Sequence, residues 1–353
     1  MKKVKVLKKA KKVKAKLKKH VHSKSKKTVA ILHTGGTIAS KVDYETGAVL
    51  AQFSPDELVN MFPELEKIAN IKSRLIANMW SDDMRFEHYN VIAKEIEKEV
   101  KKGVDGVIVS QGTDTLHYTS AALSFILEGL SVPVIVVGAQ RSSDRGSSDA
   151  VMNLVCAVRF MVDSDFAEVG VCMHKGMDDD VCWILPGLKC RKLHSSRRDA
   201  FQPVNAKPWA EVDYRKQKVK IVDGSFRKRS KSKLKLKLFK DVKVGMIVAR
   251  PSMYAAEFKV YSSFDGLVLQ GTGLGHVPIS KIDKYTGEHQ KILAELKKLC
   301  KKMPVVMSSQ TVFGRVDMNV YSPGRELQDI GVIGNYSDMS PETSYVKLAW
   351  LLS

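Results

Sequence analysis

No Cys-x-x-Cys pair occurs among the five cysteines, Cys156, Cys172, Cys182, Cys190 and Cys300. Their odd number fits a reduced compartment better than a disulfide framework, and their spacing argues against a structural zinc site. No apolar run approaches the ~20 residues that a membrane span needs, and the first residues alternate Lys with Val, Leu and Ala where a signal peptide would carry an apolar core. A cytoplasmic protein with no membrane contact is expected. The phosphate-binding pattern G-x-x-x-x-G-K-[ST] is also missing, so the chain is not expected to bind ATP itself. Gly271-Thr272-Gly273-Leu274-Gly275-His276 lacks the last glycine of a dinucleotide fingerprint and reads as a tight strand-end turn. His174, His194 and His276 are isolated and read as structural.

Basic residues are abundant, with 58 Lys+Arg against 38 Asp+Glu and a formal net charge of +20. Two stretches hold the excess. Residues 1–27 carry 14 Lys and no acid, and residues 215–240 carry 12 Lys+Arg and one acid, Asp223. The remainder has 32 basic and 37 acidic residues, a mildly acidic body with a basic tail and a basic insert. Residues 1–27 are expected to form a disordered tail, since dense like charge repels itself and builds no core. Attraction to an RNA backbone and plain solubility are equally good accounts of it.

From Thr28 onward, strand, turn and helix alternate. Val29 to Leu32, Val104 to Val109, Val132 to Val137 and Val169 to Met173 are short, β-branched, nearly all-apolar runs of the kind found in a parallel sheet covered on both faces. Ile71 to Met79 suggests a further strand. Helices are expected over Glu87 to Lys101, with Val91, Ile92, Ile96 and Val100 on the buried face, and over Leu116 to Glu128 and Ala150 to Val162. Ser54-Pro55-Asp56-Glu57 has the form of a capping box. A second α/β unit has strands near Val244 to Val248, Gly266 to Leu269 and Val305 to Met307, and helices over Ile282 to Leu299 and Pro341 to Leu352. The fold expected is a doubly wound α/β domain at 28–212, a basic linker or extension at 213–242, and a smaller α/β domain at 243–353. Within the extension, Lys233 to Leu238 alternates Lys with Leu, as an edge strand with one solvated face would.

Three segments sit where strands end, the place where open parallel sheets bind ligands. His33-Thr34-Gly35-Gly36-Thr37-Ile38-Ala39-Ser40 allows a tight turn that aims Thr37 out of the sheet. Ser110-Gln111-Gly112-Thr113-Asp114-Thr115 precedes a helix. Taken singly, the first reads as a strand-terminating turn and the second as a helix cap. In Arg191-Lys192-Leu193-His194-Ser195-Ser196-Arg197-Arg198-Asp199-Ala200-Phe201, a lysine that activates a hydroxyl must be partly desolvated beside an acid, which sequence cannot show.

Together and in this order, the three segments resemble the two threonine motifs and the lysine motif of the bacterial-type L-asparaginase/glutaminase amidohydrolases, a resemblance that covers nearly all of residues 28–353. It implies an asparaginase-like fold, with Thr37 as nucleophile on a side-chain amide. Thr113, Asp114 and Lys192 would polarise a hydroxyl and shuttle its proton, and Asp114 would also receive the substrate's α-ammonium. Tyr44 would close over the substrate, and Ser81 and Asp82 would contact its amino-acid end. No metal and no organic cofactor is expected in this half-reaction.

A narrower resemblance, to the D subunits of archaeal glutamyl-tRNA(Gln) amidotransferases, rests on Arg141 to Asp149, the doubled Arg197-Arg198, Val320 to Leu327 and Pro341 to Leu348. It implies glutamine as substrate and a homodimer within a heterotetramer. The E subunit of the amidotransferase, as partner, would bind Glu-tRNA(Gln) and use ATP and Mg²⁺ to convert it to Gln-tRNA(Gln) with the ammonia supplied. That group's pattern has a small β-rich domain ahead of the amidohydrolase body, where this sequence has its lysine tail. A stand-alone L-asparaginase and a catalytically silent RNA-binding scaffold are the competing readings.

Overall fold

The computed structural model describes residues 26–36, 40–42, 49–51 and 63–353, with the backbone alone for 40–42 and 49–51. Thr37, Tyr44, the capping box at Ser54 and nearly all of the lysine tail lie outside the described residues.

Among the described residues, nine of the first domain's strands are β1 Thr28–His33, β2 Asn70–Leu75, β3 Gly106–Ser110, β4 Val134–Val137, β5 Val169–His174, β6 Val181–Pro186, β7 Cys190–Lys192, β8 Ala210–Asp213 and β9 Lys218–Ile221, beside shorter pairs at the margins. All but β7 form one eight-stranded sheet in the order β9-β8-β6-β5-β4-β3-β1-β2. The run β2-β1-β3-β4-β5 is parallel, while β6, β8 and β9 join antiparallel at one side. Alternate residues of each central strand feed two separate cores. Ala30, Leu32, Val107 and Val109 meet helices α1 Phe86–Lys101 and α2 Leu116–Ile126 on one face. Val29, Ile31 and Ile108 meet α3 Ala150–Asp163 on the other. Strands buried on both faces read as continuous apolar runs, which is why these were visible in the sequence.

The second domain has a three-stranded parallel sheet, with a core of its own that includes Phe258, Leu267 and Leu296. Its elements are β10 Val244–Val248, β11 Gly266–Gly271, β12 Val305–Ser309, α4 Gly287–Cys300 and α5 Pro341–Leu351. Helix α5 buries Val346, Leu348 and Ala349 in the same cluster as α1 and α2, so the two domains share one apolar seam. No helix among the described residues is long and apolar enough to cross a membrane.

Residues 213–242, read from sequence as a linker or extension, contribute β9 to the edge of the large sheet, and Lys235–Leu236 pairs antiparallel with Leu127–Glu128. Leu234, Leu236 and Leu238 pack half-buried on the core, and the alternating lysines are exposed. The strand expected to run to Met79 ends at Leu75. Beyond it, Ile76 and Ala77 donate their N–H groups to the His33 carbonyl and Met79 donates to that of Thr34, wrapping the end of β1. The helix expected from Ile282 starts at Gly287. Val91 is 44% exposed, because the buried stripe of α1 is Tyr89, Ile92, Ala93 and Ile96.

Candidate active site

The parallel strand order reverses between β1 and β3, the switch point at which open α/β sheets form a crevice beyond the carboxyl ends of their strands. His33 ends β1 and ties three strands together there, its Nδ1 2.5 Å from Ser110 Oγ and its Nε2 2.8 Å from Ser73 Oγ. Burial lowers its pKa to about 4, so the ring is a neutral strut. Thr34 then donates both its N–H and its hydroxyl to the Ser110 carbonyl, at 3.0 and 3.1 Å.

The next two residues must be glycine. Gly35 and Gly36 have φ of +101° and +76°, and a Cβ on Gly36 would lie 2.2 Å from the Gly112 nitrogen. Gly112 in turn faces Ser81, whose side chain would be 3.1 Å from an added Cβ. Ser81 is buried in the short 3₁₀ turn Ser81–Asp83 and accepts the Thr115 hydroxyl at its carbonyl, 2.6 Å away. Three backbone turns therefore meet at the switch point. Asp82 is exposed and forms no ion pair among the described residues.

Thr113, Asp114 and Lys192 come together in this crevice. Lys192 Nζ donates to Thr113 Oγ1 and to Asp114 Oδ1, both at 2.7 Å, across 79 and 78 residues of chain. The lysine side chain is 8% exposed and the aspartate 62%. A desolvated ammonium is thus balanced by a carboxylate that still faces solvent, and a hydroxyl completes its donor set. Because the Thr113 oxygen accepts from Lys192, its own proton points elsewhere, and Gln140 Oε1 lies 3.4 Å away. Gln140 Nε2 and Gln111 Oε1 are buried with no partner among the described residues, leaving a donor and an acceptor for a bound molecule. Gly138 lets Thr113 pack close, since a Cβ there would sit 2.7 Å from the threonine methyl.

Two supports of this cluster lie in segments that the sequence marked only as part of the narrower resemblance, with no role for their residues. Asp149, fully buried, accepts the N–H groups of Gln140 and Arg141 at 3.0 and 3.1 Å and fixes the loop bearing Gln140. The second domain clamps β7 from behind. Arg191 binds Glu342 through Nε at 2.8 Å and Nη2 at 2.7 Å, Lys189 pairs with Asp338, and Thr343 donates to the Leu188 carbonyl at 3.1 Å. Ser340 caps α5 by accepting the Thr343 N–H, with Pro341 next, so the helix start that holds β7 is itself fixed. The segment was marked in the sequence by resemblance, and its Ser-Pro-Glu start is the local signal of the cap.

Tight turns at a switch point, an oriented lysine–hydroxyl–carboxylate set and unmatched amide groups suit acid–base work on a small polar substrate. Comparison with known proteins narrows this. Residues 28–225 match the N-terminal domain of the asparaginase family, and residues 243–353 match the glutaminase/asparaginase C-terminal domain. The D subunit of glutamyl-tRNA(Gln) amidotransferase from Pyrococcus furiosus is 45% identical over 96% of this chain and 76% of its own length. The protein of the same name from Methanothermobacter thermautotrophicus is 45% identical over 92% and 72%. Among solved structures, the thermostable L-asparaginase of Thermococcus kodakarensis superposes with a TM-score of 0.78 at 30% identity, over 92% of each chain. L-asparaginase I of Vibrio cholerae gives 0.78 at 26% identity, over 93% of each. On its sequence, its fold and the two domain matches, the chain belongs to the asparaginase/glutaminase family of amidohydrolases.

Proposed function

We propose that the protein is the glutaminase subunit of a glutamyl-tRNA(Gln) amidotransferase, and that it releases ammonia from glutamine for a partner, the E subunit, which amidates Glu-tRNA(Gln) with ATP and Mg²⁺. In this reading it acts in the cytoplasm, as a homodimer within a heterotetramer. The observation that carries the chemistry is the Lys192 ammonium held 2.7 Å from both Thr113 and Asp114. The relatives named as D subunits support the narrower assignment.

Thr37 supplies the nucleophilic oxygen. It attacks the side-chain amide carbon while its proton passes to the leaving nitrogen, and ammonia departs from the tetrahedral intermediate to leave an ester. Water then hydrolyses the ester to glutamate, so one water is consumed for each ammonia released. A threonine hydroxyl is a weak nucleophile unless a neighbour takes its proton. Thr113 is that relay, taking the Thr37 proton as it hands its own towards the leaving nitrogen, while the Lys192 ammonium polarises and orients it; Asp114 keeps the lysine oriented and binds the substrate's α-ammonium with its exposed oxygens. Backbone N–H groups of the glycine turns face the developing oxyanion, where one donor is worth about 3 kcal/mol. Tyr44 closes over the substrate, and Ser81 and Asp82 hold its amino-acid end.

The test is ammonia release from glutamine and from asparagine by the purified chain, with and without the E subunit and Glu-tRNA(Gln). Slow glutamine hydrolysis that rises when both are added is the expected result. Vigorous asparagine hydrolysis, indifferent to them, would establish a stand-alone L-asparaginase instead, and full cellular function in Thr37→Ala would establish a silent scaffold.

A further inference from the structure

Basic residues outside the site converge on one surface. Residues 226–240 hold eight Lys+Arg and no acid. Arg227 pairs with Glu168, Lys228 with Asp165 and Lys237 with Glu128, while the half-buried Arg229 donates to the carbonyls of Asp105 and Met161. Lys231, Lys233, Lys235 and Lys240 are exposed and form no ion pair among the described residues. Lys233, Lys235 and Lys237 alternate with the inward-facing Leu234, Leu236 and Leu238, so in extended chain their backbones repeat about every 6.8 Å on the exposed side.

Helix α1 runs beside this row. Its residues Val91, Lys94, Lys98 and Lys101 follow helical spacing on one exposed stripe. Between stripe and row lies an open groove of about 610 Å³, lined by Val91, Lys94, Glu95, Glu97, Lys98 and Leu236. Its two acids are already answered, Glu95 by Arg74 and Lys98 at 2.6 Å each, and Glu97 by Lys101 at 3.0 Å. Lys94 on the helix side, and Lys233 and Lys235 beside Leu236 on the other, are left without an ion-pair partner among the described residues.

We propose that this groove docks the sugar–phosphate backbone of an RNA. The occupant follows from the surface chemistry and not from the amidohydrolase reading. Cores of protein–protein interfaces are enriched in aromatic side chains and Arg, whereas the lining of this groove has no aromatic side chain, its two glutamates are paired, and Leu236 at its edge is flanked in the chain by the exposed Lys235 and Lys237. Phosphate contacts ask only for mobile cationic groups along a track, and they fix position without reading bases. No stacking platform is present in the groove, so the binding is indifferent to sequence.

The test compares three forms of the full chain by anisotropy with a fluorescent tRNA transcript between 50 and 200 mM salt. They are the wild type, the quadruple variant Lys94→Gln/Lys231→Gln/Lys233→Gln/Lys235→Gln, and a charge-matched control, Lys281→Gln/Lys284→Gln/Lys297→Gln/Lys301→Gln. Each lysine lost from a phosphate track removes about 0.7 to 0.9 from the slope of log affinity against log salt. The groove variant should be flatter by about 3 and bind at least tenfold more weakly, with glutamine hydrolysis unchanged, while the control stays near wild type. Equal losses in both variants would reduce the effect to overall charge and overturn the proposal. Intact tRNA binding in the groove variant with loss of an acidic protein partner would also overturn it. Ammonia release is read separately, so failure here is distinct from failure of the proposed function.

Discussion

Lys192 and Lys235 both project from short strands in basic segments, yet they have opposite surroundings. Lys192 is 8% exposed and spends its protons on Thr113 and Asp114, while Lys235 stands in solvent without an ion-pair partner among the described residues. What separates them lies behind each strand. The second domain clamps β7 through Asp338, Glu342 and Thr343 and presses its lysine into the switch-point crevice. The Lys233–Leu238 row gives its inward side to leucines and its lysines to water. A lysine acquires chemistry when the fold desolvates it against acceptors, and its neighbours in sequence do not reveal this.

Removing each lysine's defining feature tests the comparison, and the largest effect is expected at Lys192. Lys192→Met keeps the length of the side chain and deletes the ammonium. Hydrolysis of glutamine should fall about 10³-fold, within the range of acid–base contributions, while the thermal midpoint changes little because Asp114 is mostly solvated. Steady-state ammonia release beside a melting curve checks this, and a near-normal kcat would remove Lys192 from the mechanism. Next comes the clamp. Glu342→Gln leaves the Arg191 guanidinium half-buried without its counter-charge, and breaking such a pair costs about 3 kcal/mol. Urea unfolding should show that loss, and adding Arg191→Met should recover part of it. If Glu342→Gln is neutral, the second domain does not hold β7 through this pair.

Legibility in the sequence followed the range of the interactions involved. Val107 to Val109 and Val134 to Val137 are buried on both faces, so burial alone wrote them as apolar runs. The glycine turns were visible because Gly36 must approach Gly112 with no Cβ between them. Strands β6, β8 and β9 were not singled out; β8 and β9 are four-residue strands that mix polar with apolar residues at the sheet edge, whereas β6 is an apolar run in a hairpin with β5 that its own pattern would have shown. The late start of α4 has a local cause that hydropathy misses. Thr286 Oγ1 accepts the N–H groups of Ile282 and Asp283, Asp283 Oδ1 accepts those of Tyr285 and Thr286, and this side-chain turn outcompetes helix before Gly287. At the site, residue types and order led to Thr113, Asp114 and Lys192 by resemblance, but their contact spans 78 residues and no local pattern encodes it. Glu342 lies in the Pro341–Leu348 segment that carried part of the narrower resemblance, but its contact with Arg191 was not legible for the same reason, since it acts from the other domain.

Burial also separates the histidines from the solvated lysines, with a smaller consequence. His33 and His117 are each held at a pKa of about 4 by desolvation, against about 6.5 in an unfolded chain. Between those values the unfolded state binds protons that the native state refuses. Their contribution is therefore level above pH 6.5 and stability falls as the pH drops from about 6.5 to about 4. In urea titrations across that window, His117→Gln should flatten the dependence by about one proton, near 1.4 kcal/mol per pH unit. An unchanged slope would mean that His117 takes up a proton in the folded protein.

The smallest effect is expected at Lys235, and its smallness is the point. The side chain is exposed on a two-residue ladder whose partner at that register is Glu128, and Glu128 is already engaged by Lys237 at 3.0 Å. Lys235→Gln removes one solvated charge and no packing, because Leu234 and Leu236 supply the contacts with the core. Its unfolding free energy should stay within about 0.5 kcal/mol of wild type, and glutamine hydrolysis should not change. A larger loss of stability, or any loss of hydrolysis, would show that the row is coupled to the fold or the site. The contrast with Lys192 would then be one of degree, not of role.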